Sequence, residues 1–182
     1  MGLFKKNKND NAKGYSTTSS DVGRSAGFGT SDSGKMDFDT MIDRFEALGK
    51  ETATMKCMAT VTELMDKLDG HQFASFTIFM MWSVSADGVL TKEEFDLTEP
   101  IFSIILKKED VDYAYASGFV GGLTVSQAAD LQRKATDIAR DLLSSVDRET
   151  AAKILITGIL LSACDGKVSP EERRFLKSII SN

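Results

Sequence analysis

The side chains of this chain whose types and spacing could do chemistry are carboxylates, and they come in a repeated pattern. From Asp87 to Glu94 the chain reads Asp-Gly-Val-Leu-Thr-Lys-Glu-Glu, and from Asp165 to Glu172 it reads Asp-Gly-Lys-Val-Ser-Pro-Glu-Glu. An aspartate, a glycine, an apolar residue, a hydroxyl and a glutamate pair keep the same spacing, while the residues between them differ. Each copy follows a long apolar run. Clustered carboxylate oxygens select hard cations such as Ca²⁺ or Mg²⁺ over the softer metals that prefer His or Cys. The carboxylates of the two copies are Asp87, Glu93, Glu94, Asp165, Glu171 and Glu172.

The same residues also punctuate helices. In Thr91-Lys92-Glu93-Glu94 and Ser169-Pro170-Glu171-Glu172 the hydroxyl can accept from the N3 amide while the N3 glutamate reaches back to the cap. Pro170 sits at N1, where its missing N–H costs nothing. Gly88 and Gly166 suit left-handed positions that end the preceding helices. Capping accounts fully for Glu94 and Glu172. It leaves over Asp87 and Asp165, which face the negative pole of a helix dipole, and the outward glutamates Glu93 and Glu171. That residue of unexplained charge is what points to a cation or a basic partner.

A calmodulin-type calcium loop shares the second half of this motif. With Asp87 at its fifth place, its first and third places fall on Ser83 and Ser85. In the second copy they fall on Leu161 and Ala163, and a leucine side chain ligates nothing. The standard loop is thus disfavoured in both copies.

Nucleophilic or redox chemistry has less to work with. The single histidine, His71, stands beside Asp69-Gly70 at an expected helix start. Cys57 and Cys164 lie in apolar helical patterns, without CxxC or CxxH spacing, and read as buried reduced thiols. Only Lys56 beside Cys57 offers a charge that would favour a thiolate. A thiol-dependent, oxyanion-handling enzyme is the alternative from this class.

Residues 1–35 hold six Lys or Arg against three Asp or Glu, leaving 16 basic and 24 acidic groups for the rest, a balance of −8. Such a surface repels nucleic acid, whose binding rests on Lys and Arg neutralising phosphates. It favours cations and basic protein partners. The first 35 residues also hold six of the 14 glycines, with many Ser, Asn and Lys. They are expected to form a disordered tail, too poor in apolar groups to offset the entropy of ordering. Lys5, Lys6 and Lys8 around Leu3 and Phe4 suggest contact with a membrane surface, although Lys6 stands where a myristoylation signal needs Ser or Thr. The opening residues lack an apolar signal-peptide core. The uncharged run from His71 to Ala86 is shorter than the roughly 20 residues a spanning helix needs. A cytoplasmic protein is expected, peripheral to the inner face of the membrane and not itself transmembrane.

The elements that must position the carboxylates are helices. Phe38, Met41, Ile42, Phe45 and Leu48 share one face, with Gly49 as a stop. A second helix is expected from about 54 to 68, burying Met58, Val61, Met65 and Leu68. A third, about 72–86, is apolar on nearly all sides and belongs at the centre of the bundle. Thr91 caps a fourth, which Pro100 either kinks or divides. Residues 111–123 read as a short helix with a loop. A long amphipathic helix at 126–145, one capped by Asp147 and running to Cys164, and a last at 170–180 complete the set. No alternating run remains for a sheet, so the class is all-α: residues 36–182 as a single-domain helical bundle.

The two motifs in their apolar contexts, Ser83 to Glu94 and Ser162 to Arg173, resemble the TerB-like family associated with tellurite resistance, whose domain also occurs in membrane-anchored J-domain co-chaperones. The resemblance covers about Gln72 to Ile180. It implies an all-helical domain with two pseudo-symmetric halves and no catalytic activity. It also implies a stress-response setting, in which an acidic patch of the six carboxylates above binds metal or protein partners near the membrane. The tail and the helices before Gly70 lie outside the family's pattern. A purely structural or scaffolding interaction module is the remaining alternative.

Overall fold

The computed structural model describes residues 37–86, 92–107, 109–110 and 125–181. Seven α-helices have described bounds: α1 (Phe38–Glu46), α2 (Lys50–Met65), α3 (Gly70–Val84), α4 (Lys92–Ile105), α5 (Val125–Ser145), α6 (Arg148–Ser162) and α7 (Pro170–Ile180). No strand occurs among the described residues, so the all-α expectation holds. The expected tail at 1–35, the expected helix at 111–123 and the bend holding Asp87 and Gly88 lie outside the described residues.

Helix α3 is the hub because its sequence is apolar on every side. Phe76, Phe79 and Met80 are almost fully buried, and Trp82 nearly so. It packs against α5, α6 and α7. Gln72 Nε2 donates to the Ser145 carbonyl at 3.2 Å and Gln132 Nε2 to that of Ala86 at 3.4 Å, so α3 and α5 run antiparallel. Against α6 it runs parallel. Phe79 meets Gly158, and one turn further on Ser162 Oγ donates to the Ser83 carbonyl at 2.7 Å. The Phe175 ring of α7 completes this core, with centroids 6.3 Å from Phe79 and 6.4 Å from Trp82.

Helix α2 crosses α6 in the opposite sense. Lys67 pairs with Glu149 at 3.5 Å, Lys153 with Glu63, and Cys57 Sγ donates to the Thr157 carbonyl at 3.8 Å. Helix α1 lies amphipathic over this layer, burying Phe38, Met41, Ile42 and Phe45. Its acidic outer edge is tied to α7: Arg173 reaches Asp43 and Glu46, each at 2.9 Å, and Lys177 reaches Asp39 at 2.7 Å.

Three boundaries differ from the sequence expectation. Helix α2 starts at Lys50, because Gly49 at φ 77° both ends α1 and serves as N-cap of the next helix. Its first turn carries Lys50 and Glu51, which no apolar periodicity reveals. Asp69-Gly70 opens α3 instead of only closing α2: Asp69 accepts from the amides of His71 and Gln72, and Gln72 returns the bond to Asp69 N–H. His71 is exposed in that first turn. Pro100 lies inside an uninterrupted α4. Asp147 stands at the head of α6 and Ser169 at the head of α7, as expected, while Thr91, the expected cap of α4, lies outside the described residues.

Candidate functional site

The second acidic element forms the bend between α6 and α7, and the glutamate pair of the first begins α4. Because α3 and α6 run parallel and nearly level, their C-terminal ends lie at the same end of the bundle. There Glu94 of α4, Asp165 of the second bend and Glu172 of α7 line one small crevice. Its other walls are Val84, Leu97, Thr98, Leu161 and Ser162. The cavity measures about 10 Å³, about the space one water-sized particle needs. Residues some seventy positions apart in sequence therefore share one acidic recess.

In the second element the capping glutamate, Glu172, is the one that faces inward. Ser169 Oγ accepts from the Glu172 amide at 3.2 Å, and Glu172 Oε2 accepts from Ser169 N–H at 2.7 Å. That reciprocal bond swings the N3 side chain back over the preceding bend and into the crevice. Glu171, one place earlier, points away and pairs with Arg174. Capping suffices for Glu172 and leaves Glu171 over for binding, while the family resemblance implies both as site residues; the fold brings Glu172 to the recess and leaves Glu171 outside it. A one-residue step on a helix rotates the side chain by about 100°, which is enough to separate the two.

Asp165 is half-buried, and its Oδ1 accepts from Lys167 N–H at 2.9 Å, which tightens the bend. Gly166 has φ 97° and donates to the Ala163 carbonyl at 2.9 Å. It is left-handed as expected, but it stands within the bend, three residues past Ala163, the C-cap of α6. The Lys50 side chain packs against it, and a Cβ there would come within 3.0 Å of Lys50 Cε. Glu46 of α1 accepts from the Val168 amide at 2.7 Å, so α1 holds the same bend from outside. No signal in the sequence announces this strap. Asp87 and the Glu93 side chain lie outside the described residues.

Electrostatics single out Glu172. Burial raises its carboxyl to about 8; the hydrogen bonds with Ser169 oppose that rise, and the neighbouring charges of Asp165 and Glu94 add to it. A carboxylate that resists ionisation among other carboxylates is relieved by a proton or by an incoming cation. The donor chemistry suits a hard cation, being entirely carboxylate oxygen. The described side chains do not complete a coordination shell: among the described residues no three His, Cys, Asp or Glu side chains are grouped so as to hold a metal ion.

The thiols are placed for packing. Cys57 and Cys164 are both buried between α2 and α6 and form no disulfide. Burial pushes Cys57 well above the ordinary thiol range, with the nearby Cys164 adding to it. Burial likewise lifts Cys164 to about 11, against a lowering contact from Thr54 and with a further rise from Asp165. Neither thiol has the thiolate character that nucleophilic or redox chemistry needs.

No helix among the described residues is long and apolar enough to cross a membrane. No protein-family model matches the chain, and comparison with curated proteins and with solved structures gives no match.

Proposed function

We propose that this chain is a non-enzymatic, TerB-like stress-response protein whose two Asp-Gly/Glu-Glu elements form one shared site for a hard divalent cation, Ca²⁺ or Mg²⁺. The observation that carries the reading is the meeting of Glu94, Asp165 and Glu172, drawn from both copies of the motif, around a recess the size of a single water molecule. A crevice lined by residues of both copies is also what a duplicated helix-bend-helix unit with pseudo-symmetric halves would produce. The raised carboxyl of Glu172 reflects its burial first and, in smaller part, the neighbouring charges of Asp165 and Glu94. Glu94, Asp165 and Glu172, which line the crevice without yet forming a ligand group, would have to close on the ion, with water and the remaining carboxylates of the first element, Asp87 and Glu93, completing the six to eight oxygens that Ca²⁺ takes. The ion would supply charge neutralisation and would fix the two bends together.

A second reading, recognition of a basic protein partner at the membrane face, is favoured by the incomplete ligand grouping among the described residues. A lysine ammonium would then take the place of the ion. A structural module remains the minimal alternative, supported by the Ser169–Glu172 capping box and the Asp165 turn.

Isothermal titration of the full chain with CaCl₂ and MgCl₂, beside an Asp165→Asn/Glu172→Gln variant, tests the reading. Saturable heat in the native chain that disappears in the variant is the expected result. Heat of equal size in both would place any binding elsewhere, and no heat in either would leave the partner or structural reading.

A further inference from the structure

A second concavity lies on the other side of α7, between it and α5, and its charge is the reverse of the domain's. Three arginines, Arg133, Arg140 and Arg174, line it against one aspartate and one glutamate, Asp137 and Glu171. Its volume is about 410 Å³, within the roughly 300–1,000 Å³ of ligand-binding clefts. In a region where acidic groups outnumber basic ones by eight, this is a concentration of guanidinium groups against the prevailing sign.

The three arginines divide into a fixed one and two available ones. Arg140 donates through Nη2 to the carbonyls of Ser178 and Ser181, capping the end of α7 and holding it to α5. That contact sets the width of the groove. Arg133 and Arg174 are different: their side chains are 71% and 72% exposed and bond within their own helical turns, Arg133 to Asp130 and Arg174 to Glu171 and, through Nε, to the Pro170 carbonyl at 3.4 Å. Exposed local pairs of this kind contribute little and exchange readily for a better partner. Between them the walls carry hydroxyls and an amide: Thr136 and Ser178 with oxygens 3.3 Å apart, and Gln132. Such groups suit the peptide bonds of an extended chain.

We propose that this groove binds an extended acidic segment of a partner protein, with its carboxylates bridging Arg133 on α5 and Arg174 on α7. Planar guanidinium groups on two separate helices match side-chain carboxylates spaced along a peptide. The chain's own first 35 residues have the wrong sign, with twice as many basic as acidic groups. This proposal stands apart from the cation site and does not need it.

Fluorescence anisotropy of fluorescein-labelled hexaglutamate, titrated with the full chain, is the test. Saturable binding is expected, weakened by about ten-fold or more in R133E/R174E and less in R133K/R174K, which keeps the charge but loses the planar fork. Both side chains are solvent-exposed, so circular dichroism and Tm of the variants should match the native chain. Absence of saturable binding, or binding that charge reversal leaves intact, would overturn the proposal. So would displacement of the peptide by inorganic phosphate at the concentration at which unlabelled hexaglutamate displaces it, since the groove would then be a simple anion site.

Discussion

Ser162 Oγ donates a 2.7 Å hydrogen bond to the carbonyl of Ser83, and both residues are fully buried. They stand 79 residues apart, as do Gly158 and Phe79 one turn below, within one residue of the 78 that separate Asp87 from Asp165. Two parallel helices thus present their C-terminal ends side by side at equivalent positions of the repeat. Glu94, Asp165 and Glu172 line one crevice at that end of the bundle. The Ser83 carbonyl lies in the last turn of α3, where helix carbonyls lack an intrahelical partner. Removing its donor by Ser162→Ala should cost about 1–3 kcal/mol, read as a lower urea midpoint with unchanged m-value.

Gly158 sets how closely the two helices approach. A Cβ built there would lie 2.3 Å from Phe79 Cζ and 3.1 Å from Leu176 Cδ2. The Phe79 ring is itself held by Phe175, so it has little room to give. Gly158→Ala should destabilise by about 1–3 kcal/mol, despite the better helix propensity of alanine. Thermal unfolding checks this, and a stabilised variant would mean that α3 and α6 are not locked in this register.

Glu172 gives stability a pH dependence of defined sign. Its carboxyl titrates at about 8 in the folded chain against an ordinary 4.5. Between these values the native state holds a proton that the unfolded state has released, so stability is greatest below about 4.5 and falls as pH rises toward 8. The part-buried position of the side chain limits the contribution to about 2–3 kcal/mol. Glu172→Gln keeps an oxygen for the Ser169 amide and removes the titration. Denaturant melts between pH 5 and 8.5 should slope downward for the native chain and flatten for the variant.

Helix α1 is held to α7 by charge as well as by its apolar face. Arg173 contacts Asp43 and Glu46, and Glu46 also accepts from Val168 N–H. Arg173→Ala should loosen α1 and the second bend together, at a cost of about 1–3 kcal/mol. Amide hydrogen exchange should speed up across residues 38–46 and 165–169 while α3 and α6 keep their protection. Uniform loss of protection would show that α1 is no separable strap.

Most of the helical framework was legible because its signals are local. Phe38, Met41, Ile42 and Phe45 repeat at helical spacing, Asp147 and Ser169 stand where caps belong, and the run from Phe73 to Trp82 is too apolar to lie anywhere but the centre. The start of α2 was missed because Gly49 does two jobs, and Lys50 and Glu51 carry no periodic signal. At the site, the repeat identified Asp165, Glu94 and Glu172 as members of one set, but which glutamate of each pair matters is a question of rotation about α7. Capping made Glu172 look spoken for, whereas the same bond aims it inward. The strap from Glu46 and the arginine groove depend on contacts between residues 38 to 122 positions apart, which no local pattern encodes.

The central claim is that a cation relieves the carboxylates of the shared recess, and the titration of Glu172 tests it most directly. Side-chain ¹³C NMR of the full chain should give a carboxyl midpoint near 8 without added metal, and that midpoint should fall toward the ordinary carboxylate range as Ca²⁺ or Mg²⁺ is added. A midpoint that stays near 8 at saturating concentrations of both ions would contradict the account.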